Sequence, residues 1–179
     1  MRRLVPLLVL SAALVGCGSS ASSPSSHSAS TPAESSPAGD IPDNQAYVRY
    51  APPGGGFSVK VPEGWARSTA GGTVTFTDKL NSIGMRAMPA HAPLTPSEAR
   101  RANPRARVTV VRRPAGKATR VVYEANGRPD PVTGRTRRDV VERYVFFKSG
   151  RRVILDLAGP KGADNVDPWK LVTSSLRFG

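Results

Sequence analysis

The stretch DVVERYVFFKSGRRVILDL, residues 139–157, contains two strongly apolar segments separated by a short polar one. We predict strands over Asp139–Phe147 and Arg152–Leu157, because consecutive apolar residues are typical of strands that are covered on both faces. The intervening Lys148-Ser149-Gly150-Arg151 has the residues of a tight turn. The stretch therefore predicts a β-hairpin in the middle of a sheet.

Shorter segments on the N-terminal side of this hairpin alternate apolar and polar residues with a period of two, as half-buried strands do. Glycine- and proline-containing turns separate them, at residues 53–56, 71–72, 114–116 and 127–129. This spacing predicts further antiparallel strands. The alternating segments are Phe57–Val61, Thr73–Thr77, Ala106–Val110 and Thr119–Tyr123.

Two helices are predicted beside the sheet. Thr95-Pro96-Ser97-Glu98 has the pattern of a capping box, which predicts a short helix ending near Ala102. Asp167-Pro168 indicates a second helix start, with Asp167 as N-cap and an apolar stripe of Trp169, Val172 and Leu176 continuing to Phe178. The expected fold class is thus α+β, an antiparallel sheet flanked by helices.

The N-terminus has a different character. Arg2 and Arg3 precede the apolar run Leu4–Val15, and Leu14-Val15-Gly16-Cys17 ends it with the single cysteine of the chain. The run is short for a membrane-spanning helix, which needs about 20 apolar residues. A positive start, a short apolar run and small residues form a secretory signal. Residues 1–17 therefore predict a signal peptide, and an ordinary signal containing a cysteine by chance is the alternative.

The Leu-x-Gly-Cys pattern, moreover, resembles the signal of bacterial lipoproteins. The resemblance implies that Cys17 carries a diacylglyceryl group, that palmitate or a similar acyl chain is attached, and that cleavage occurs before the cysteine. It also implies a lipid-anchored protein on the extracytoplasmic face of the cell membrane. With Cys17 lipidated, no cysteine remains for disulfides, so the domain must be held by its core.

Composition divides the rest of the chain. Residues 18–45 are rich in serine, proline and alanine and contain no aromatic residue, which predicts a disordered tether. Residues 46–179 have the length of one domain and enough apolar residues for a core.

A family resemblance covers this domain. Gly56–Trp65 reads as a strand ending in Pro-x-Gly-Trp, and the last strand is followed by Asp167-Pro168-Trp169 and a helix ending near Phe178. The pattern resembles the PsbP-like α-β-α sandwich family, including small actinobacterial lipoproteins of the LpqN group. The resemblance implies proteins that bind or assist rather than catalyse. Core packing is the simpler expectation for Trp65 and Trp169.

The chain is strongly basic, with 26 Lys and Arg against 13 Asp and Glu and a formal net charge of +13. Such a charge attracts polyanions, here acidic lipid head groups or anionic wall polymer, whereas nucleic acid is not expected outside the cell. A solvated surface set by composition is the competing interpretation. The clustered arginines are the candidate polyanion-binding residues: Arg100, Arg101, Arg105, Arg107, Arg112, Arg113, Arg135, Arg137, Arg138, Arg151 and Arg152.

No catalytic or phosphate-binding motif is present in the sequence, so we expect no enzyme, no cofactor and no metal site. Three functions stay open. The first is an accessory lipoprotein that docks on another envelope protein; the second is a basic module that binds an anionic lipid, wall polymer or small ligand. The third is a hydrolase, which requires a cleft that brings together at least two of Glu124, Asp130, Glu142 and His91.

Overall fold

The structure is a computed structural model, which describes residues 37–129 and 132–179. The predicted signal with Cys17, most of the predicted tether and Asp130 lie outside the described residues. In chain order the elements are β1 Tyr47–Tyr50, β2 Phe57–Pro62, β3 Ala66–Ala70, β4 Thr73–Thr77, β5 Ser82–Pro89, α1 Pro96–Ala102, β6 Arg107–Arg113, β7 Gly116–Pro129, β8 Thr136–Lys148, β9 Arg151–Pro160, α2 Val166–Ser174 and β10 Arg177–Phe178.

The strands form two antiparallel sheets. The larger has seven strands in the order β3-β4-β5-β9-β8-β7-β6, and the smaller has three in the order β1-β2-β10. The predicted antiparallel sheet is thus present, but the fold contains more sheet than a helix-flanked sandwich. The reason is that β2 pairs on both edges, with β1 and with β10, and so builds a second sheet where the sequence predicted helical cover.

The predicted hairpin is confirmed as β8 and β9, at the centre of the large sheet. Tyr144 pairs with Leu155 and Phe146 with Val153. Ser149 and Gly150 make the turn with φ angles of 49° and 74°, as a two-residue hairpin loop with a right-handed strand twist requires.

The main core lies between one face of the large sheet and a layer formed by the small sheet and α2. We call this face of the large sheet the covered face. Alternate residues point to it, which is why Leu155 and Leu157 are fully buried there while Asp156 lies on the opposite face. The layer opposite contributes the equally buried Val59 and Val172.

Helix α1 lies on the other face, over β6. Its predicted capping box is confirmed: the Thr95 hydroxyl accepts from Glu98 N, and the Glu98 carboxylate accepts from Thr95 N at 2.8 Å. Ala99 is its buried residue, packed with Val108 and Val121 in a small second cluster.

Helix α2 differs from the prediction at both ends. Asn165, not Asp167, occupies the N-cap position, and Asp167 lies in the first turn. The helix ends at Ser174, and Phe178 belongs to β10, where it pairs with Phe57. The predicted packing of the two tryptophans is borne out, since Trp169 is buried in the core and Trp65 packs against it.

The chain joins the domain ahead of the predicted boundary at Ala46. Ile41 is buried in the core, its N–H donates to Asn165 Oδ1 at 2.9 Å, and the Gly39 carbonyl accepts from the side chains of Asn81 and Asn165 at 2.9 and 3.0 Å. We call these contacts of Gly39–Ile41 the N-terminal clasp. Domain packing therefore begins within the segment whose composition predicts a tether.

Candidate functional site

A cleft of about 430 Å³ opens at the β3 end of the large sheet. Its floor is apolar, formed by the β-strand residues Val74, Met85 and Ala87. The loop Pro52–Gly55 between β1 and β2 forms one wall, and β3 forms another. We call this space the arginine cleft, because three of its lining residues are arginines.

The arginines are Arg67 on β3, Arg86 on β5 and Arg151 at the start of β9. Arg86 follows the buried Met85 on its strand, so its side chain leaves the sheet on the face opposite the apolar floor. The guanidinium of Arg67 lies over the ring of Tyr50, 5.4 Å from its centroid, and Arg151 Nη1 donates to the Gly54 carbonyl at 3.3 Å. Both side chains are exposed, and neither has an acidic partner among the described residues. No acidic residue of the described chain lines the cleft. Its charge is therefore uncompensated.

Gly56 allows the loop to approach Arg151 closely. Its φ of 65° favours glycine, and a Cβ there would lie 3.0 Å from Arg151 Nη1. The glycine run at residues 54–56, which the sequence indicates only as a turn, thus sets the distance between the cleft wall and its cation.

A second groove, of about 340 Å³, lies beneath α1 on the opposite face of the sheet. Val121 and Ile154 contribute to its apolar floor. Its arginines are already engaged: Arg143 makes two hydrogen bonds to the Asp156 carboxylate, at 2.6 and 3.0 Å, and Arg152 donates to backbone carbonyls of the loop before α1. The arginine cleft is therefore the stronger candidate for binding an anion.

Several of the predicted polyanion-binding arginines have contacts within the domain. Besides Arg151, Arg100 donates weakly to the Val108 carbonyl at 3.4 Å. Arg113 donates to Thr173, Arg137 pairs with Asp139 at 2.7 Å, Arg138 pairs with Glu124 at 3.6 Å, and Arg152 also approaches Glu98 at 3.9 Å. These side chains connect strands and helices of the domain, so part of the arginine content stabilises the fold.

The remaining predicted arginines are exposed, as Arg100 and Arg151 are, and the exposed arginines do not all share one surface. Arg151 lines the arginine cleft, whereas Arg105 and Arg107 line a depression of about 620 Å³ at the β6 end of the sheet, together with Arg138 and its ion-pair partner Glu124. The exposed set is Arg100, Arg101, Arg105, Arg107, Arg112, Arg135 and Arg151.

Arg67 is not among the predicted polyanion-binding residues, because it stands alone in the sequence, outside every arginine cluster. The available signal was indirect: Arg67 follows the glycine run at residues 54–56 after one strand and one turn. Only the pairing of β3 with β4, and of β4 with β5, brings it next to that loop.

The carboxylates considered for catalysis are held by cations. Glu142 accepts two hydrogen bonds from Arg120, at 3.0 and 2.5 Å, and a third from the Tyr144 hydroxyl at 2.9 Å. Burial raises the pKa of Tyr144, which keeps that hydroxyl a donor. Glu124 pairs with Lys161 at 2.7 Å, and this hydrogen bond lowers the pKa of Glu124.

His91 is exposed in the loop after β5, and it does not line the pockets that contain Glu124 and Glu142. The described members of the predicted acid-base set are therefore not brought together as free groups in one cleft. Asp130 lies outside the described residues.

No protein-family model matches the chain, and no curated protein matches it. Solved structures with a similar fold include a protein from Bacteroides thetaiotaomicron, at 14% identity and a TM-score of 0.54 over 73% of this chain and 48% of that one. The chain thus spans about half the length of that protein. This similarity concerns the fold alone.

Two further solved structures are similar at a TM-score of 0.49. One is cyanobacterial PsbP (CyanoP) from Synechocystis sp. PCC 6803, at 16% identity over 80% of this chain and 99% of that one. The other is the Saccharomyces cerevisiae Ran-binding protein Mog1p, at 11% identity over 75% of this chain and 96% of that one. A PsbP protein is thus among the structures with a similar fold.

Proposed function

We propose that this chain is a non-catalytic binding lipoprotein of the cell envelope, whose domain takes an anionic partner in the arginine cleft. The observation that carries the proposal is the uncompensated pair Arg67 and Arg151 above an apolar floor. Guanidinium groups bind carboxylates and phosphates through paired N–H donors, so an anionic group is the natural occupant.

The membrane anchor in this proposal rests on the sequence around Cys17, which resembles a lipoprotein signal. A diacylglyceryl group supplies two acyl chains, and two chains hold a protein durably at a bilayer where one does not. Neither helix in the described part of the chain is long and apolar enough to span a membrane.

A non-catalytic role fits the engagement of the carboxylates. General acid-base chemistry needs a positioned group that is free to exchange a proton with the substrate. Glu142 is instead fixed by Arg120 and Tyr144, and Glu124 by Lys161. The wider family role suggested by the PsbP-like and LpqN-like resemblance, assistance to another envelope component, belongs to the same proposal.

The test uses the purified full chain in neutral detergent micelles. Poly-glutamate, anionic vesicles and isolated cell-wall polymer serve as probes over a salt series. The double variant Arg67→Gln/Arg151→Gln is expected to lose about tenfold or more in affinity for the preferred probe, because charge-assisted hydrogen bonds contribute roughly 1.5–3 kcal/mol each.

The matched control is Arg101→Gln/Arg112→Gln, which removes the same charge from exposed arginines outside the cleft. Equal losses in both double variants would mean that binding is diffuse attraction to net charge. If no probe binds at low salt, the anion-binding role is wrong.

A further inference from the structure

Strand β3 is one edge of the large sheet. It pairs with β4 on one side, and no other described segment pairs with its second side. All five of its side chains are exposed. A role for this free edge rests on the proposed function of the arginine cleft beside it.

The β3–β4 turn determines which backbone groups of β3 are free. Ala70 pairs with Thr73 across Gly71 and Gly72, which have φ angles of 54° and 73°. A two-residue loop of this type joins residues that exchange both of their hydrogen bonds. Because such pairs alternate along an antiparallel ladder, Ala70 and Ser68 bond to β4 while Thr69 and Arg67 direct their N–H and C=O groups outward.

The other edge of the sheet, β6, is protected in ways that β3 is not. It has arginines at both ends, Arg107 and Arg113, and α1 packs beside it. Charges and covering elements are the usual means by which an edge strand avoids pairing. Strand β3 has the sequence Ala-Arg-Ser-Thr-Ala, with one charge and no proline. Its single charge, moreover, points into the arginine cleft.

We propose that the partner in the arginine cleft is an extended polypeptide segment of another envelope protein, which adds to β3 as an antiparallel strand and places an acidic side chain beside Arg67. An added strand would lie about 4.8 Å from β3 and bond to the outward groups of Arg67 and Thr69.

Charge sets the identity of the paired side chain. A residue directly opposite Arg67 projects from the same face as Arg67, with its Cβ about 5 Å away. The arginine cleft opens on that face. Among the described residues no aspartate or glutamate lines the cleft, so none competes with an acidic side chain of the partner for Arg67. Main-chain bonds would supply affinity, and the glutamate or aspartate opposite Arg67 would set the register.

The experiment selects peptides on the full chain in neutral micelles. The probe is a displayed library of linear eight-residue peptides with glutamate fixed at a central position. Selected peptides are expected to slow amide hydrogen exchange at Arg67 and Thr69, whose N–H groups are free beforehand, and to leave Ser68 and Ala70 unchanged because these are already bonded to β4.

Two variants separate backbone pairing from side-chain contact. Thr69→Pro removes the outward N–H, at a position of the kind where an edge strand tolerates proline, and is expected to lower peptide affinity roughly tenfold, as for the loss of one main-chain hydrogen bond. Thr69→Ala shortens the side chain, which lines the cleft, but keeps the N–H, and is expected to lower peptide affinity much less than Thr69→Pro does.

Each other result overturns the inference. If the library yields no binding peptide, strand addition is wrong, and the anion probes of the salt series still decide the proposed function. If peptides bind without protecting Arg67 and Thr69, and Thr69→Pro binds them normally, the cleft holds anions through side chains alone. The exchange measurement on the unmodified chain does not depend on whether Thr69→Pro folds.

Discussion

At the residue scale, Asn165 shows how one polar side chain joins three distant segments. Its amide accepts from Ile41 N–H and donates to the Gly39 carbonyl and to Asn81 Oδ1. Asn165 is buried, and every polar atom of its side chain is satisfied within the domain. A buried amide with complete hydrogen bonding fixes the relative position of the groups it bonds.

Removing this side chain takes away the hydrogen-bond acceptor of the Ile41 N–H and one of the two donors to the Gly39 carbonyl, to which Asn81 still donates. We expect Asn165→Ala to lower the free energy of unfolding by about 1–3 kcal/mol, because the Ile41 N–H and the Gly39 carbonyl lose hydrogen bonds inside the protein. Chemical denaturation of the full chain in micelles measures the change. The control is Asn44→Ala at an exposed asparagine, which is expected to stay within about 0.5 kcal/mol. Equal values for the two variants would contradict the role given to Asn165.

Sequence reasoning could not assign this role. Asn165 looks like a turn residue before a helix, and Asp167-Pro168 gives the stronger local signal for an N-cap. The partners of Asn165 are separated from it by more than 80 residues, and the local pattern contains no information on such pairs. Arg67 was missed for the same physical reason, since its neighbours in the cleft come from other strands.

At the element scale, α1 was predictable because its start is encoded locally. Thr95 and Glu98 bond to each other within one turn, and no distant residue is needed. The hydrogen bond from the Thr95 hydroxyl, followed by the one from the Thr95 N–H, lowers the pKa of Glu98. The folded state therefore favours the ionised carboxylate.

Because the pKa of Glu98 is lower in the folded state, the stability that this cap contributes depends on pH. The stabilisation by Glu98 is complete above the pKa of the unfolded chain and is lost as the pH falls through the lower folded pKa. Thr95→Ala should raise the pKa of Glu98 toward its ordinary value of 4.5, as followed by NMR titration. Ser97→Ala is the control, because it keeps the bonds between Thr95 and Glu98. An unchanged Glu98 pKa in Thr95→Ala would refute the assignment.

The C-terminal segment offers a matched pair of leucines. Leu176 is fully buried beneath the small sheet, whereas Leu171 on α2 is 41% exposed. We expect Leu176→Ala to lower the free energy of unfolding by about 2–5 kcal/mol through lost burial and a cavity, and Leu171→Ala to change it by less than about 0.5 kcal/mol. Thermal or denaturant unfolding distinguishes them. Similar losses would mean that α2 packs differently.

The predicted strands cover only part of the two sheets, since β1, β3, β5 and β10 were not predicted. Strand β2 was recognised from its alternation, but β1 is short and β10 has only two residues. Strand β10 pairs with β2 from the other end of the chain, so no local pattern predicts its register, whereas β1 pairs with β2 across the loop of residues 51–56. The β8–β9 hairpin was predictable because its register is fixed by its own turn.

At the scale of the whole molecule, the proposed anchor and the proposed binding site lie in different parts of the sequence. The anchor is proposed from Cys17, and the binding site from Arg67 and Arg151 in the folded domain. Each can be removed without the other. The net charge of +13 does not identify the site by itself, since several arginines are taken up by ion pairs within the domain.

The anchor is tested in cells. Cys17→Ser should shift the protein from the membrane fraction to the soluble fraction in a high-salt wash, because the acyl chains are lost and salt screens any attraction of the basic surface to anionic lipid. Arg67→Gln/Arg151→Gln serves as the comparison and should remain in the membrane fraction. Retention of the Cys17→Ser chain would show that the thiol is not the point of attachment.

The N-terminal clasp has a mechanical consequence. Tension applied to the chain before residue 37 enters the domain at Gly39–Ile41, where the side chains of Asn81 and Asn165 hold the backbone. These hydrogen bonds and the buried side chain of Ile41 resist the tension together, and β1 follows them in the sequence. A pull on the N-terminus must therefore break the clasp before it can peel β1 from β2, so the sheets are shielded from the force.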